Sequence, residues 1–313
     1  MRKSRFTRAV MLCLLLALAL PLSIHLTARP AHAAGNVYYV DADNGNDSCD
    51  GLYYLNNGKD CPWKTVAPVN SMTFQPGDTI AFKDGDMWTD TGQNAYYLHP
   101  LGSGTSSTEP ITLTDYCPST GQVGGCSNNP MPYPILNGNG DGNPENGSAG
   151  NPGGTLYLDN QSYWTINDLE IQNKCQPACA AGYRQGILIR ADDVGVVSGI
   201  TIQNLTVDQV TGEIGSTLES KRTGGIIFDI EGPTTPGSTL TYFSGVTITN
   251  VTVHDVSRSG IYFYSVWKGP VQNTYPCPQK SDDGYTANQW VPSTTRSIIS
   301  GAMVSSSLIA RSR

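Results

Sequence analysis

Basic residues are scarce in this 313-residue sequence: 19 Lys and Arg stand against 26 Asp and Glu. Five of the basic ones, Arg2, Lys3, Arg5, Arg8 and Arg29, fall in the first 33 residues, which hold no acid, so residues 34–313 carry 14 against 26 and a formal charge of −12. So acidic a chain offers no electrostatic grip on nucleic acid or on an anionic membrane surface. It also repels a polyanionic glycan at long range, unless calcium or a local basic cleft reverses the field. After Ile24 no apolar run is long enough to span a bilayer. No long linker divides the remainder, which fits one elongated domain. Cys175-Gln-Pro-Ala-Cys179 has no second Cys or His pair nearby, so a zinc site there lacks half its ligands.

What the N-terminus does hold is a cluster of four basic residues, an apolar run from Ala9 to Ile24 interrupted by Pro21, and Ala31-His32-Ala33. That order is a secretory signal peptide, residues 1–33, with cleavage expected after Ala33. Export makes disulfides the expected state of the cysteines that remain, at 49, 61, 117, 126, 175, 179 and 277. Pairing of neighbours joins Cys49 to Cys61, Cys117 to Cys126 and Cys175 to Cys179 and leaves Cys277 over; sequence alone does not fix the connectivity.

One short pattern recurs in the middle of the chain. It reads WTINDLEI from Trp164, ITIQNLTV from Ile200 and VTITNVTV from Val246, with Ile166, Ile202 and Ile248 in register and Asp168, Asn204 and Asn250 in one column. Apolar residues alternate on both sides of the Asn or Asp, which predicts two short strands meeting at a polar corner. A second pattern opens on Gly and alternates: Gly186-Ile-Leu-Ile-Arg190, Gly225-Ile-Ile-Phe-Asp229, Gly260-Ile-Tyr-Phe-Tyr264, with Leu156-Tyr-Leu-Asp159 as an earlier copy. The copies are 36 and then 46 residues apart, so extra residues go to loops. A repeat of that length and tolerance is a solenoid of stacked coils, each giving short parallel strands about 4.8 Å above the last. The corner amides are placed to hydrogen-bond along the stack. The Asn-X-Thr triplets at Asn204 and Asn250 follow from this strand pattern and are not read as glycan sites.

This combination resembles the right-handed parallel β-helix of the pectate-lyase-like superfamily. The resemblance implies an all-β solenoid over residues 34–313, with a cap region at 34–75, coils at 76–305 and a tail at 306–313. Asn36-Val-Tyr-Tyr-Val40, Asp41-Ala-Asp-Asn-Gly-Asn-Asp47 and Cys61-Pro-Trp-Lys-Thr-Val66 look like the opening strand and capping helix of secreted members, with Pro68 expected to shorten that helix. Phe74–Lys83 resembles the entry to the first coil, turning at Gly77 with Ile80 and Phe82 inward; Pro110–Thr114 and Pro134–Gly138 read as further strands. Asn137-Gly-Asn-Gly-Asp-Gly142 looks superficially like a calcium loop, but its twelfth position is Ser148, which favours a polar Gly-rich loop. Ser297–Val304 reads as a degraded fourth copy with Ile299 in the isoleucine column. No C-terminal cap is recognisable, which leaves a fragment, or an end closed by a loop or by another subunit; oligomeric state is not readable.

In a packed solenoid, chemistry falls to outward side chains and flanking loops. Alternation puts Ile187, Ile189, Ile226, Phe228, Ile261 and Phe263 inside. Two outward columns follow, Tyr157-Leu188-Ile227-Tyr262 and Asp159-Arg190-Asp229-Tyr264; the second offers the charge, hydrogen bonds and stacking face that a saccharide groove needs, or is a solvated face with cross-strand ion pairs. Loops add Asp192, Asp193, Glu213, Glu219, Lys221, Arg222, His254, Asp255 and Arg258. A lyase of the superfamily removes the proton beside a uronate carboxylate with an Arg or Lys while calcium steadies the developing charge. On that pattern Arg190, Arg222 and Arg258 are candidate bases, Asp159, Asp192, Asp193 and Asp229 candidate calcium ligands, and Tyr157, Tyr262, Tyr264 and Lys221 substrate contacts; no organic cofactor is implied. Polygalacturonase-type NTD, GHG and RIK motifs are absent, and His254-Asp255 is not followed by the Pro-His of mannuronan epimerases. The expectation is a secreted protein acting on extracellular polysaccharide, lyase-like, with a non-catalytic binding protein and a hydrolase of neutral glycans as the rival readings.

Overall fold

The computed structural model describes residues 35–91, 95–126, 131–144, 153–175, 182–214, 222–231, 241–265 and 309–312. The chain divides into two compact units, Met1–Ala33 and Ala34–Arg313. The first lies outside the described residues, as do Cys179, Glu219, Lys221, Cys277 and the Ser297–Val304 segment. No helix among the described residues is long and apolar enough to cross a membrane.

The second unit is built from parallel strands wound into a right-handed β-helix, the hand that parallel crossovers take. A five-stranded sheet stacks Tyr96–Leu98, Gly154–Asp159, Gln185–Asp192, Gly224–Glu231 and Ser259–Ser265 in chain order. A ten-stranded sheet makes the other two sides of each coil. It does so by bending: the strands Ile200–Val210 and Thr247–Val256 run through the corner residues Asn204 and Asn250, which sit at φ 51° and 52°, beside Asp168 at 53°. Asn and Asp tolerate this left-handed conformation where β-branched residues do not, which is why the polar residue stands at that one column. Before the corner Trp164–Asn167, Ile200–Gln203 and Thr247–Thr249 stack with Ile166, Ile202 and Ile248 in register; after it Glu170–Asn173 pairs with Thr206–Val210. Asn250 donates its amide to Asn204 at 2.9 Å and Asn204 donates to Asn167 at 3.0 Å. Asn167 in turn donates to Asp168. The strand Ile309–Ser312 lies beside Thr252–Val256.

Glycine opens each copy of the second pattern for a steric reason. A Cβ on Gly186 would lie 2.5 Å from Val207 and 2.8 Å from the carbonyl of Gly225; one on Gly225 would lie 2.5 Å from Val253 and 2.7 Å from the carbonyl of Gly260. The chain turns into the five-stranded sheet so close to the preceding side that only a hydrogen fits. The interior behind these glycines is filled by Ile187, Ile189, Ile226 and Phe228, with Phe228 and Phe263 stacked at 4.5 Å. Trp164, Ile166, Ile202 and Val207 line the other sides, all fully buried.

Residues 36–75 cover the first coil. Val37–Val40 pairs with Thr79–Lys83, Tyr38 stacks on Trp63 at 5.2 Å, and Asp47 accepts bonds from the backbone of Lys64 and Thr65, fixing the turn before the helix Ala67–Ser71. That helix has only five residues, with Pro68 in its first turn, where a missing N–H costs nothing. The disulfides Cys49–Cys61 and Cys117–Cys126 are present as neighbour pairing expects, and Cys175 is disulfide-bonded. The Asn137–Gly142 loop holds a guanidinium: Arg184 Nε donates to the Gly140 carbonyl at 2.8 Å, and Asn173 clasps Gly140 and Asp141 from the next coil.

Candidate functional site

The five-stranded sheet brings the two outward columns together in the register read from the sequence. Tyr157, Leu188, Ile227 and Tyr262 are aligned neighbours, and so are Asp159, Arg190, Asp229 and Tyr264. These residues point away from the interior, yet Tyr157, Leu188, Ile227 and Tyr264 are buried and form a small apolar cluster of their own, with Tyr96 packed against it. Tyr262 is 37% exposed.

The charged column is cross-linked. Arg190 Nη2 pairs with Asp192 at 2.7 Å, and Asp192 takes its place because its amide donates to Asn160, the left-handed residue that ends the preceding strand. The Tyr157 hydroxyl bonds to both Arg190 and Asp159; burial pushes its ionisation up, and Arg190 only partly offsets this. One rung further, Arg222 Nε lies 3.3 Å from Asp229, and its guanidinium sits 4.9 Å over the ring of Tyr264. Asp229 is nearly fully buried. Oδ1 of Asp159 is buried without a hydrogen-bond partner, an expensive state for a carboxylate that a proton or an incoming hydroxyl relieves.

Two residues join the site that sequence reading passed over. His99 stacks on Tyr157 at 4.7 Å and packs against Tyr96 at 4.9 Å. Its Nδ1 is 2.9 Å from the Tyr157 carbonyl, which can only accept, so Nδ1 donates. The ring is set by the cap: the His99 amide donates to Asn70 of the short helix at 2.7 Å. The strand Tyr96–Leu98 lacks the Gly-Ile opening, so nothing in the repeat pattern marks it as the first rung of this sheet.

Other expected members lie elsewhere. His254 and Asp255 pair with each other at 3.0 Å on the ten-stranded sheet. Asp193 is an exposed turn residue, and Arg258 occupies the turn before Ser259–Ser265. Nor do Asp159, Asp192, Asp193 and Asp229 gather as a calcium cage, because Asp192 and Asp229 turn to arginines; these donors do not fit the ion that the family resemblance implies. Among the described residues, the carboxylates that lie close enough to hold a metal ion are Asp41, Asp43 and Asp86. There the Lys83 ammonium already stands among them, at 2.8, 3.2 and 3.1 Å, and bonds to Asp41 and Asp86 push its ionisation up despite its burial. Those acids are the counter-charges of a lysine that ties the cap to the first coil.

No family model matches this chain, and no curated protein matches it. Among solved structures it is similar to the native crystal structure of GH136 lacto-N-biosidase from Eubacterium ramulus, at 23% identity with a TM-score of 0.56, over 74% of this chain and 36% of that one. The selenomethionine derivative of that enzyme gives 22% and 0.53, over 72% and 36%. A rhamnogalacturonan lyase gives 13% and 0.45, over 73% and 54%. The chain spans about a third of the length of the GH136 structures, and at such identity the likeness is one of fold.

Proposed function

We propose that the protein is a secreted carbohydrate-active β-helix that hydrolyses a neutral glycan on the outward face of its five-stranded sheet. The observation that carries this reading is the state of the arginines. Arg190 and Arg222 each face a carboxylate partner, Asp192 at 2.7 Å and Asp229 at 3.3 Å, so both guanidinium groups are engaged as counter-charges within the sheet face, which favours carboxylate chemistry over an arginine base. The carboxylates remain. Asp159 and Asp229 stand two rungs apart with Arg190 between them, about 10 Å at the backbone from the ordinary strand spacing. Carboxyl groups converging from there leave room for a water between acid and sugar, the arrangement of inverting glycosidases. In this proposal Asp229, with Arg222 as its counter-charge, activates the water, and Asp159, with its unsatisfied oxygen, protonates the leaving group. Tyr262, the exposed ring of the column, gives the sugar a stacking face. Asp159, Asp192 and Asp229 outnumber the two arginines, which disfavours a uronate and favours an uncharged sugar, in keeping with the acidic chain.

The lacto-N-biosidase named above is a relative in fold, and its likeness here supports a carbohydrate substrate without naming one. The test is a panel of neutral oligosaccharides and uronate polysaccharides, with calcium and with chelator. New reducing ends without unsaturated product, indifferent to chelator, are expected, with a loss of about 100-fold or more in Asp159→Asn and Asp229→Asn. Calcium-dependent absorbance of unsaturated product that disappears in Arg190→Ala would instead establish the lyase. Binding without any product would make the face a recognition surface.

A further inference from the structure

At the corner where the amide ladder ends, the chain places carboxylates instead. Asp115 follows Leu113 in the strand Ile111–Tyr116, and Leu113 is aligned with Ile166, so Asp115 stands in the column of Asp168, Asn204 and Asn250. Asp84, just beyond Thr79–Lys83, hydrogen-bonds to Asp115 and to the backbone amide of Cys126. Both carboxyl groups are almost completely enclosed, each residue 2% exposed. The lid over them is the loop closed by Cys117–Cys126: a Cβ on Gly125 would lie 2.8 Å from Asp115 Oδ2 and 3.3 Å from Asp84 Oδ2, and Gly125 holds a left-handed φ of 77°. The Gly124 amide donates to the Asp115 carbonyl at 3.0 Å.

The groups facing this pair are few. Thr114 donates its hydroxyl to Asp115 at 3.3 Å; Asp168, across the corner, adds negative charge; Tyr133 hydrogen-bonds to Asp168. Among the described residues neither Asp84 nor Asp115 forms an ion pair, and the adjacent Lys83 is committed to Asp41, Asp43 and Asp86. Two enclosed carboxylates within hydrogen-bonding distance, with no cation, cannot both be ionised.

We propose that Asp84 and Asp115 share one proton, and that this proton latches the Cys117–Cys126 loop onto the solenoid corner. Burial and the charge of Asp84 push Asp115 up to about 7, and burial and Asp115 push Asp168 up to about 6. An acid whose folded pKa is raised stabilises the closed state fully below its ordinary value near 4 and progressively less as pH rises to the folded value. The latch therefore loosens from about pH 4 to about pH 7, opening the corner in neutral or alkaline surroundings and keeping it closed in acid.

Hydrogen exchange of the full protein, followed on peptides spanning 117–126 and corrected for intrinsic rates, tests this. Protection in the wild type is expected to fall at least about ten-fold between pH 5 and pH 8, whereas Asp115→Asn, which replaces the shared proton with an amide donor, keeps one level at both. A flat wild-type profile, or the same fall in Asp115→Asn, overturns the proposal. So does calcium restoring wild-type protection at pH 8, because the pair is then a cation site. Should Asp115→Asn not fold, infrared spectra of the wild type decide: a protonated-carboxyl band present at pH 5, weakened by pH 8 and absent from Asp84→Asn supports the shared proton, and its absence at pH 5 rejects it.

Discussion

The same alternation produces two very different outward faces. On the ten-stranded sheet the outward column before the corner is Thr112, Thr165, Thr201 and Thr247, aligned rung by rung and half-buried. These side chains are β-branched and polar, which suits a strand washed by water, and they carry neither charge nor ring. On the five-stranded sheet the corresponding positions hold Tyr157, Leu188 and Ile227 beside Asp159, Arg190 and Asp229, and several of them are as inaccessible as the core. A solenoid repeats its backbone, so what distinguishes one face from the other is the buried charge and aromatic surface that one of them carries.

That contrast can be broken first at its apolar column. Ile227→Asp should destabilise by about 3 kcal/mol or more, since it buries a carboxylate in an apolar cluster, while Thr201→Asp on the other face should stay within about 1 kcal/mol; urea unfolding of the pair reads the difference. Arg190→Met should cost about 2 kcal/mol by leaving Asp192 without its counter-charge, and Asp192→Asn in the same background should recover part of it, as a double-mutant cycle would show. At the shared corner, Asn204→Ala should cost about 1–2 kcal/mol by removing two ladder bonds and putting a residue less tolerant than Asn in the left-handed conformation, and Asn204→Gly about half as much, because glycine loses the bonds but relieves the backbone strain. Thr165→Val, which keeps the branched shape on the inert face, should change stability by less than about 0.5 kcal/mol. A large effect from it would show that the threonine face is also covered.

Much of this was readable before any coordinates. The isoleucine register, the corner column and the outward columns follow from alternation, because a packed solenoid forces side-chain direction at every second residue. The glycine openings were visible too, although their cause, the approach of Val207 and Val253, needs three dimensions. Contacts between rungs of unlike sequence were not readable. His99 reaches Tyr157 from 58 residues away through a strand that breaks the pattern. Asp84 and Asp115 belong to the first coils, where eighteen residues of sequence separate the strands Ile111–Tyr116 and Ile135–Asn137 and the polar column loses its Asn. The pairing of Arg190 and Arg222 was not readable for the same reason: their partners Asp192 and Asp229 lie two and seven residues off in sequence, and only rotamers decide whether an arginine turns to its neighbour or to a substrate.

The amide ladder also sets how the protein ages. An amide both gives and receives, so each Asn passes the bond along; a carboxylate at neutral pH only receives, and Asp168 is where the row stops. Spontaneous deamidation of Asn204 or Asn250 would convert a relay into such a stop and cut the row in mid-stack. Bulky neighbours slow that reaction by hindering attack of the next amide nitrogen, and Leu205 and Val251 follow these two positions. The glycine-flanked Asn44, Asn57, Asn137 and Asn139 lie outside the ladder, so chemical wear falls first on these positions and leaves the stacked corner intact.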